Sequence, residues 1–189
     1  MIQEVIFDCF GVLTQDGWTT FLKKYATEET TEELHSLNHQ VDAGIITFDN
    51  FVERVSKVSG ASKAEIMNIL VKSYHPEMGV FDLIAKLKQH YKIGLISNIS
   101  DTIEHYLPTA PTDLFDEQTL SYKVGVPKPS PEIFQIHLER TGVSPEHAVF
   151  IDDRESNCKG ARAAGLHAIH FNNLEQLKED LTKLGVNIT

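Results

Sequence analysis

Short apolar runs that end in polar residues constrain the fold of this 189-residue chain more than any other feature. The first run, residues 5–7, leads directly into Asp8, and three further runs occupy residues 92–98, 148–153 and 167–171. Amphipathic stretches with helical spacing separate the later runs. Because unbroken apolar strands that alternate with helices are typical of a parallel sheet covered on both faces, the sequence predicts an α/β fold.

Helical periodicity predicts helices over residues 131–141, 157–164 and 174–184, the first of them between Ser130 and Gly142. Between about residues 18 and 74 the spacing is helical only, over residues 21–26, 32–41, 48–58 and 63–74, and no strand run occurs. We therefore expect a Rossmann-like parallel sheet core formed by residues 1–14 and 78–189. A small helical cap, residues 15–77, would be inserted after the first strand.

Charge and cysteine content exclude several classes of function. The net charge is −10 and no dense run of Lys or Arg occurs, so a nucleic-acid partner held by phosphate contacts is not expected. The apolar runs are too short to span a bilayer, and the N-terminus lacks the pattern of a signal peptide. Two cysteines, Cys9 and Cys158, do not form a disulfide framework, which favours a cytoplasmic location. The sequence carries no signal for the oligomeric state.

The polar residues that follow the strands predict one shared site, because ligands bind beyond the carboxyl ends of the strands in an open parallel sheet. Besides these residues, the loop GVPKPSPE carries a lysine between two prolines that stiffen its backbone. The predicted site residues are Asp8, Ser97, Asn98, Lys128, Asp152 and Asp153.

This set of side chains suits phosphoryl transfer. Asp8 is the candidate nucleophile, because a carboxylate can attack phosphorus and form an aspartyl-phosphate. Mg²⁺ prefers oxygen ligands, so Asp8 and Asp153 are candidate magnesium ligands. Lys128 would add a second positive charge, and Ser97 with Asn98 would donate hydrogen bonds to the phosphate oxygens. Each residue alone has a simpler explanation as a helix cap or an exposed loop residue, and only their combination at strand ends carries the prediction.

The chain resembles the haloacid dehalogenase (HAD) superfamily, subfamily IA, over nearly its whole length. The nucleophile motif is VIFDCFGVL with Asp8, the second motif is LISN with Ser97, and the third is GVPKPSPEIF with Lys128. The fourth is VFIDDRESNCKGARAAG with Asp152 and Asp153. The likeness is strongest to the branch that contains the phosphatase domain of soluble epoxide hydrolase and bacterial sugar-1-phosphate phosphatases.

The resemblance implies a hydrolase that acts on a small phosphorylated metabolite. It also implies that Mg²⁺ is bound by Asp8, Asp153 and the backbone carbonyl of Phe10, with Asp152 in support. In typical HAD phosphatases an Asp stands two residues after the nucleophile and protonates the leaving oxygen, whereas this chain has Phe10 there. Loss of a general acid typically costs about 10²–10⁴ in rate.

Three interpretations of Phe10 remain open. The first is a phosphatase for substrates whose leaving group needs little protonation, with Asp16 or a cap residue as a possible replacement acid. The second is a 2-haloacid dehalogenase, in which an aromatic residue follows the nucleophile, but those enzymes need no metal and their fourth motif resembles S-S-N-x-x-D. The third is a non-catalytic phosphate-binding or regulatory module. The sequence favours the phosphatase.

Overall fold

A five-stranded parallel sheet forms the centre of the molecule in the computed structural model, which describes residues 1–72 and 74–188. The strand order is β3-β2-β1-β4-β5, so β1 lies in the middle. The strands are β1 Glu4–Phe7, β2 Lys92–Ser97, β3 Glu117–Leu120, β4 Ala148–Asp152 and β5 His167–His170. Phe7 pairs with Leu95 of β2 and with Ile151 of β4. The carboxyl ends of these three strands therefore meet at one edge, as the sequence predicts.

The predicted strands are all present, and each of the last three ends one residue earlier than predicted. The structure has one strand that the sequence did not predict, β3, whose sequence, EQTL, has no apolar run. It lies at the edge of the sheet and its first two residues are only half-buried, so burial does not force an apolar pattern there.

Helices cover both faces of the sheet. Helix α8, Pro131–Thr141, occupies the predicted residues, and Gly142 ends it with a φ of 70°. Helices α9, Glu155–Ala163, and α10, Leu174–Lys183, differ from the predicted bounds by one or two residues. After β1 the helices are α1 Gly17–Tyr25, α2 Glu28–Asp42, α3 Phe48–Ser59, α4 Lys63–Met67, α5 Met78–Leu87, α6 Ile103–Tyr106, α7 Ser121–Val124, α8 Pro131–Thr141, α9 Glu155–Ala163 and α10 Leu174–Lys183.

Residues 17–72, which we call the helical insertion, pack around a hydrophobic cluster of their own. Its buried members are Trp18, Phe21, Leu34, Leu37, Val41, Phe51, Val52, Val55, Ala61, Ile66 and Leu70. The helix predicted over residues 63–74 is α4 followed by a π-helical turn, Asn68–Lys72. Tyr74 is not helical, so the predicted end of this helix is wrong, and Ser73 lies outside the described residues. The domain boundaries at residues 15 and 77 stay a prediction.

Both cysteines are buried and unpaired. Burial raises the pKa of the Cys158 thiol to about 12 and that of Cys9 well above its usual range, so both thiols are protonated at neutral pH and act as small apolar residues. Among the described helices, none has the length and apolar character needed to cross a membrane.

Candidate active site

Asp8 directly follows β1, and the tight loop after it anchors one of its carboxylate oxygens. The carbonyl of Cys9 accepts hydrogen bonds from the backbone N–H of Leu13 at 2.8 Å and of Thr14 at 3.2 Å. Asp8 Oδ1 accepts a hydrogen bond from the N–H of Cys9 at 2.6 Å and contacts Lys128 Nζ at 2.6 Å. No described residue donates to Oδ2, and Asp8 lines a cavity. The carboxylate is thus fixed through Oδ1 and free to react through Oδ2.

Lys128 is almost fully buried and links two carboxylates. Its Nζ lies 2.6 Å from Asp8 Oδ1 and 2.7 Å from Asp152 Oδ2. Although burial alone lowers the pKa of Lys128, the charges of Asp152 and Asp8 raise it above the usual value, so the ammonium stays charged. The Asn98 side chain holds the lysine backbone, because its Oδ1 accepts from Lys128 N–H at 2.7 Å and its Nδ2 donates to the Lys128 carbonyl at 3.0 Å.

Asp152, the last residue of β4, has every carboxylate oxygen engaged. Asn157 Nδ2 donates to both oxygens at 3.0 Å, and the backbone N–H of Arg154 donates to Oδ1 at 2.8 Å. Together with Lys128, these donors fix the carboxylate in one orientation. Asp152 is therefore suited to position Lys128 and to support a neighbouring ligand.

Asp153 is placed to bind a cation. One carboxylate oxygen from each of Asp8, Asp152 and Asp153 lies within 4.8 Å of the other two. Asp153 Oδ1 is buried and lacks a hydrogen-bond partner among the described residues. Gly11 has a φ of 91°, and a Cβ built on it would lie 2.3 Å from the carboxylate carbon of Asp153. The loop after β1 therefore approaches Asp153 as closely as only a glycine allows.

The cluster of Asp8, Asp152 and Asp153 places three carboxyl groups next to one ammonium group, so a further positive charge would stabilise their ionised forms. Burial raises the pKa of Asp8 to about 8, and burial together with the charge of Asp152 raises the pKa of Asp153 to about 6. A divalent cation would lower both pKa values and keep Asp8 ionised, as nucleophilic attack requires. Three carboxylates match the oxygen ligands that Mg²⁺ prefers. The part predicted for the backbone carbonyl of Phe10 stays a prediction.

Ser97 supplies an unused donor at the end of β2. Its side chain is buried, and its Oγ has no hydrogen-bond partner among the described residues. An orphaned buried hydroxyl is costly unless a ligand satisfies it. Ser97 is therefore suited to donate to a phosphate oxygen. The Asn98 side chain, in contrast, is already hydrogen-bonded to the backbone N–H and carbonyl of Lys128.

An aromatic wall lines the cavity beside the charged strand ends, with rings from the helical insertion and from outside it. The Phe10 ring packs against Tyr74 at a centroid distance of 5.1 Å and edge-on against Tyr106 at 5.4 Å. The aromatic residues that line the cavity are Phe10, Trp18, Phe48, Phe51, Tyr74 and Tyr106. Trp18 Nε1 is buried and unpaired within residues 1–72 and 74–188, so it can donate to a bound ligand.

Two acidic residues from outside the strand ends also line the cavity. Asp16 caps α1: its Oδ1 accepts from Thr19 N–H at 3.0 Å, and Arg154 contacts its Oδ2 at 2.8 Å. Asp42, the last residue of α2, accepts a hydrogen bond from Asn38 Nδ2 at 2.8 Å. The cavity thus joins charged strand ends to a carboxyl group of the helical insertion.

Comparison with known proteins decides the family. A family model described as haloacid dehalogenase-like hydrolase matches residues 2–165. The chain belongs to this family of hydrolases. This agrees with the resemblance of its four motifs.

Relatives and solved structures cover almost the whole of this hydrolase. D-ribitol-5-phosphate phosphatase from Bacteroides thetaiotaomicron is 22% identical over 96% of this chain and 98% of its own. Phosphatase MT3486 from Mycobacterium tuberculosis is 27% identical over 97% and 95%. A HAD family enzyme from Bacteroides thetaiotaomicron, solved in complex with magnesium and inorganic phosphate, superposes with a TM-score of 0.75 at 26% identity, over 94% of this chain and 99% of that one.

A 2-haloacid dehalogenase from Pseudomonas syringae also superposes, with a TM-score of 0.63 at 19% identity, over 97% of this chain and 100% of that one. At such low identity the likeness concerns the fold alone. Dehalogenases and phosphatases share this fold, so the superposition does not separate the two activities. The site residues have to do so.

All six site residues predicted from this hydrolase's sequence lie at the same end of the sheet. Salt bridges join Asp8, Lys128 and Asp152, and Asp153 lies beside them. Sequence reasoning missed Asp42, although a signal existed: on α2 it stands one turn after Asn38 and beside the buried Val41, on the face that packs inward. Only the folded structure brings that face to the strand ends.

Proposed function

We propose that this hydrolase is a magnesium-dependent phosphatase that acts on small phosphorylated metabolites through an aspartyl-phosphate on Asp8. The observation that carries the proposal is the carboxylate of cavity-lining Asp8, whose Oδ1 is held by Lys128 and Cys9 while no described residue donates to its Oδ2. Relatives named as phosphatases and a structural neighbour with bound magnesium and phosphate support it.

In the proposed reaction the side chains divide the work of binding and attack. Lys128 and the Ser97 hydroxyl bind the phosphate oxygens, and Asp8 Oδ2 attacks the phosphorus. Asp152 positions Lys128. Mg²⁺, held by Asp8 and Asp153, would supply positive charge that offsets the repulsion between the carboxylate and the phosphate.

A 2-haloacid dehalogenase is a weaker candidate for this site. That reaction proceeds without a metal, and it gives no reason for a buried, unpaired Asp153 oxygen next to two further carboxylates. A phosphate-binding module without turnover is favoured by one observation, the apolar Phe10 at the place of the acid. The experiment below separates these alternatives.

The test is phosphate release from a panel of aryl, acyl and sugar phosphates with Mg²⁺ and with EDTA. We expect turnover with Mg²⁺ only, and a loss of about 10⁴–10⁶-fold in the Asp8→Asn variant, because the isosteric amide cannot attack phosphorus. Glu33→Gln, an equal charge change at an exposed position of α2, should leave the rate unchanged.

Two results would overturn the proposal. Chloride release from 2-chloropropionate in EDTA, without phosphate release from any ester, would identify a dehalogenase. Saturable binding of inorganic phosphate by calorimetry, without turnover of any ester in Mg²⁺, would identify a binding module.

A further inference from the structure

The proposed phosphatase reaction needs a proton for the leaving oxygen, and Phe10 cannot supply one. Loss of the acid matters most for alkyl esters, whose alkoxide leaving groups are strongly basic. A replacement acid would have to be another titratable residue of the cavity. Besides Asp8, its titratable residues within the described part of the chain are Asp16, Asp42, Tyr74, Tyr106, Lys128 and Arg154.

Asp16 is not suited to donate a proton. Although burial alone raises its pKa, the hydrogen bonds from Thr19 and the charge of Arg154 outweigh burial and hold the pKa below its usual range. Its two oxygens are committed to the cap of α1 and to the Arg154 ion pair. Asp16 is therefore ionised at neutral pH and engaged in structure.

The other side chains bind their protons too tightly. Burial raises the pKa of Tyr74 and of Tyr106 far above the ordinary tyrosine value. Lys128 and Arg154 are held in their charged forms by neighbouring carboxylates. None of these four groups releases a proton readily near neutral pH, which leaves Asp42.

Asp42 has the position and the surroundings of a proton donor. It is half-buried at the C-terminal end of α2, where the partial negative charge of the helix disfavours a carboxylate. Asn38 Nδ2 donates to its Oδ2, and among the described residues nothing donates to its Oδ1. One oxygen is therefore oriented and the other is available to a ligand in the cavity.

The surroundings of Asp42 bring the pKa of its carboxyl group close to neutral pH. Burial raises its pKa to about 7, assisted by the charge of Asp16, while Arg154, Lys128 and the Asn38 hydrogen bond act in the opposite direction. Tyr106 also lies close enough for the charge of Asp42 to raise the tyrosine pKa. A group with this pKa can both give and take a proton at neutral pH.

We propose that Asp42, a residue of the helical insertion, is the general acid and base of this site and replaces the acid that Phe10 cannot provide. The inference rests on the proposed phosphatase function. In the first step Asp8 Oδ2 forms a bond to phosphorus, the bond between phosphorus and the leaving oxygen breaks, and its electron pair stays on that oxygen. The proton of Asp42 passes to the same oxygen, which leaves an alcohol, an aspartyl-phosphate and the Asp42 carboxylate.

The second step restores both residues. Water attacks the phosphorus of the aspartyl-phosphate while the Asp42 carboxylate accepts one of the water protons. The bond between phosphorus and Asp8 breaks and its electrons return to the Asp8 carboxylate. The products are inorganic phosphate, ionised Asp8 and protonated Asp42, so the cycle closes without another reactant.

The test compares Asp42→Asn with wild type and with Glu33→Gln, using 4-nitrophenyl phosphate and a sugar phosphate in Mg²⁺. Nitrophenolate leaves without a proton, so Asp42→Asn should form the aspartyl-phosphate at nearly the wild-type rate. Hydrolysis of this intermediate should be slow in the variant because the base is missing, so nitrophenolate appears in a burst followed by slow turnover. Cleavage of the sugar phosphate should fall by about 10²–10⁴-fold. Asp42→Glu should recover part of this loss.

The pH profile supplies a readout that a merely structural role would not change. Wild-type cleavage of the sugar phosphate should fall as the pH rises through about 7, because the donor loses its proton, and this limb should be absent in Asp42→Asn. Equal rates of wild type and Asp42→Asn on the sugar phosphate would overturn the inference and leave the phosphatase function standing. Absence of phosphate release from both substrates by the wild-type protein in Mg²⁺ would instead overturn the phosphatase function.

Discussion

The strand ends and the helical insertion form two sides of one cavity, the first with ion pairs and the second mainly with aromatic rings. At the strand ends, Asp8, Lys128 and Asp152 hold one another in a buried chain of charges. On the side of the insertion, rings such as those of Trp18 and Phe51 pack together, and among the described residues only Asn38 donates a hydrogen bond to Asp42. The strand ends therefore hold their carboxylates in a fixed geometry, whereas the insertion supplies rings and one less constrained carboxyl group.

The largest expected effect comes from removing the charge at the centre of the strand-end site. Lys128→Met should lower the free energy of unfolding by about 3–5 kcal/mol, because it leaves Asp8 and Asp152 as uncompensated buried charges. Urea unfolding at pH 7 in EDTA measures this loss. Mg²⁺ should recover part of it, since a bound cation replaces the missing positive charge.

The matched control is Lys88→Met, which removes a partly exposed ion pair with Asp116 at 2.8 Å. Such pairs contribute about 0–1 kcal/mol, so the control should unfold close to wild type. Equal losses in both variants would show that the buried chain of charges does not hold the strand ends together.

The same contrast explains how much of the molecule could be predicted from its sequence. The carboxylates of Asp8 and Asp152 lie at the ends of apolar runs, and parallel pairing of β1 with β4 brings them to one edge, where Lys128 joins them from the loop before α8. Asp42 could not be found this way, since its place in the cavity with Asp8 depends on how the helical insertion folds. β3 escaped prediction because an edge strand needs no apolar pattern.

An effect of intermediate size is expected at the contact between Gly11, in the loop after β1, and Asp153. Gly11→Ala places a methyl group where the Asp153 carboxylate lies, so that side chain must move. We expect the Mg²⁺ concentration for half-maximal activity to rise about tenfold or more, in line with the effects of disturbing groups around a metal. A Mg²⁺ titration of phosphatase activity measures it.

Gly142→Ala is the control for backbone strain. Gly142 has a φ of 70°, but a Cβ there would meet no described residue within 4 Å, so only the left-handed backbone is penalised, by about 1–2 kcal/mol. This variant should lose stability with an unchanged Mg²⁺ requirement. The same requirement in wild type and Gly11→Ala would remove Asp153 from the metal site.

The smallest expected effect concerns Phe10, whose backbone belongs to the strand ends and whose ring packs with the aromatic wall. Phe10→Asp restores an acid at the usual place, yet we expect less than about a tenfold gain on alkyl phosphates, because Asp42 already donates the proton. The new carboxylate would also be poorly solvated between Tyr74 and Tyr106.

The gain in rate from Phe10→Asp should be larger in the Asp42→Asn background, where the proposed donor is absent. Rates of sugar phosphate cleavage for the two single variants and the double variant measure this difference. A gain of about 10²–10⁴ in the otherwise wild-type protein would mean that the helical insertion contributes no proton, and the division of work between the two sides of the cavity would then be wrong.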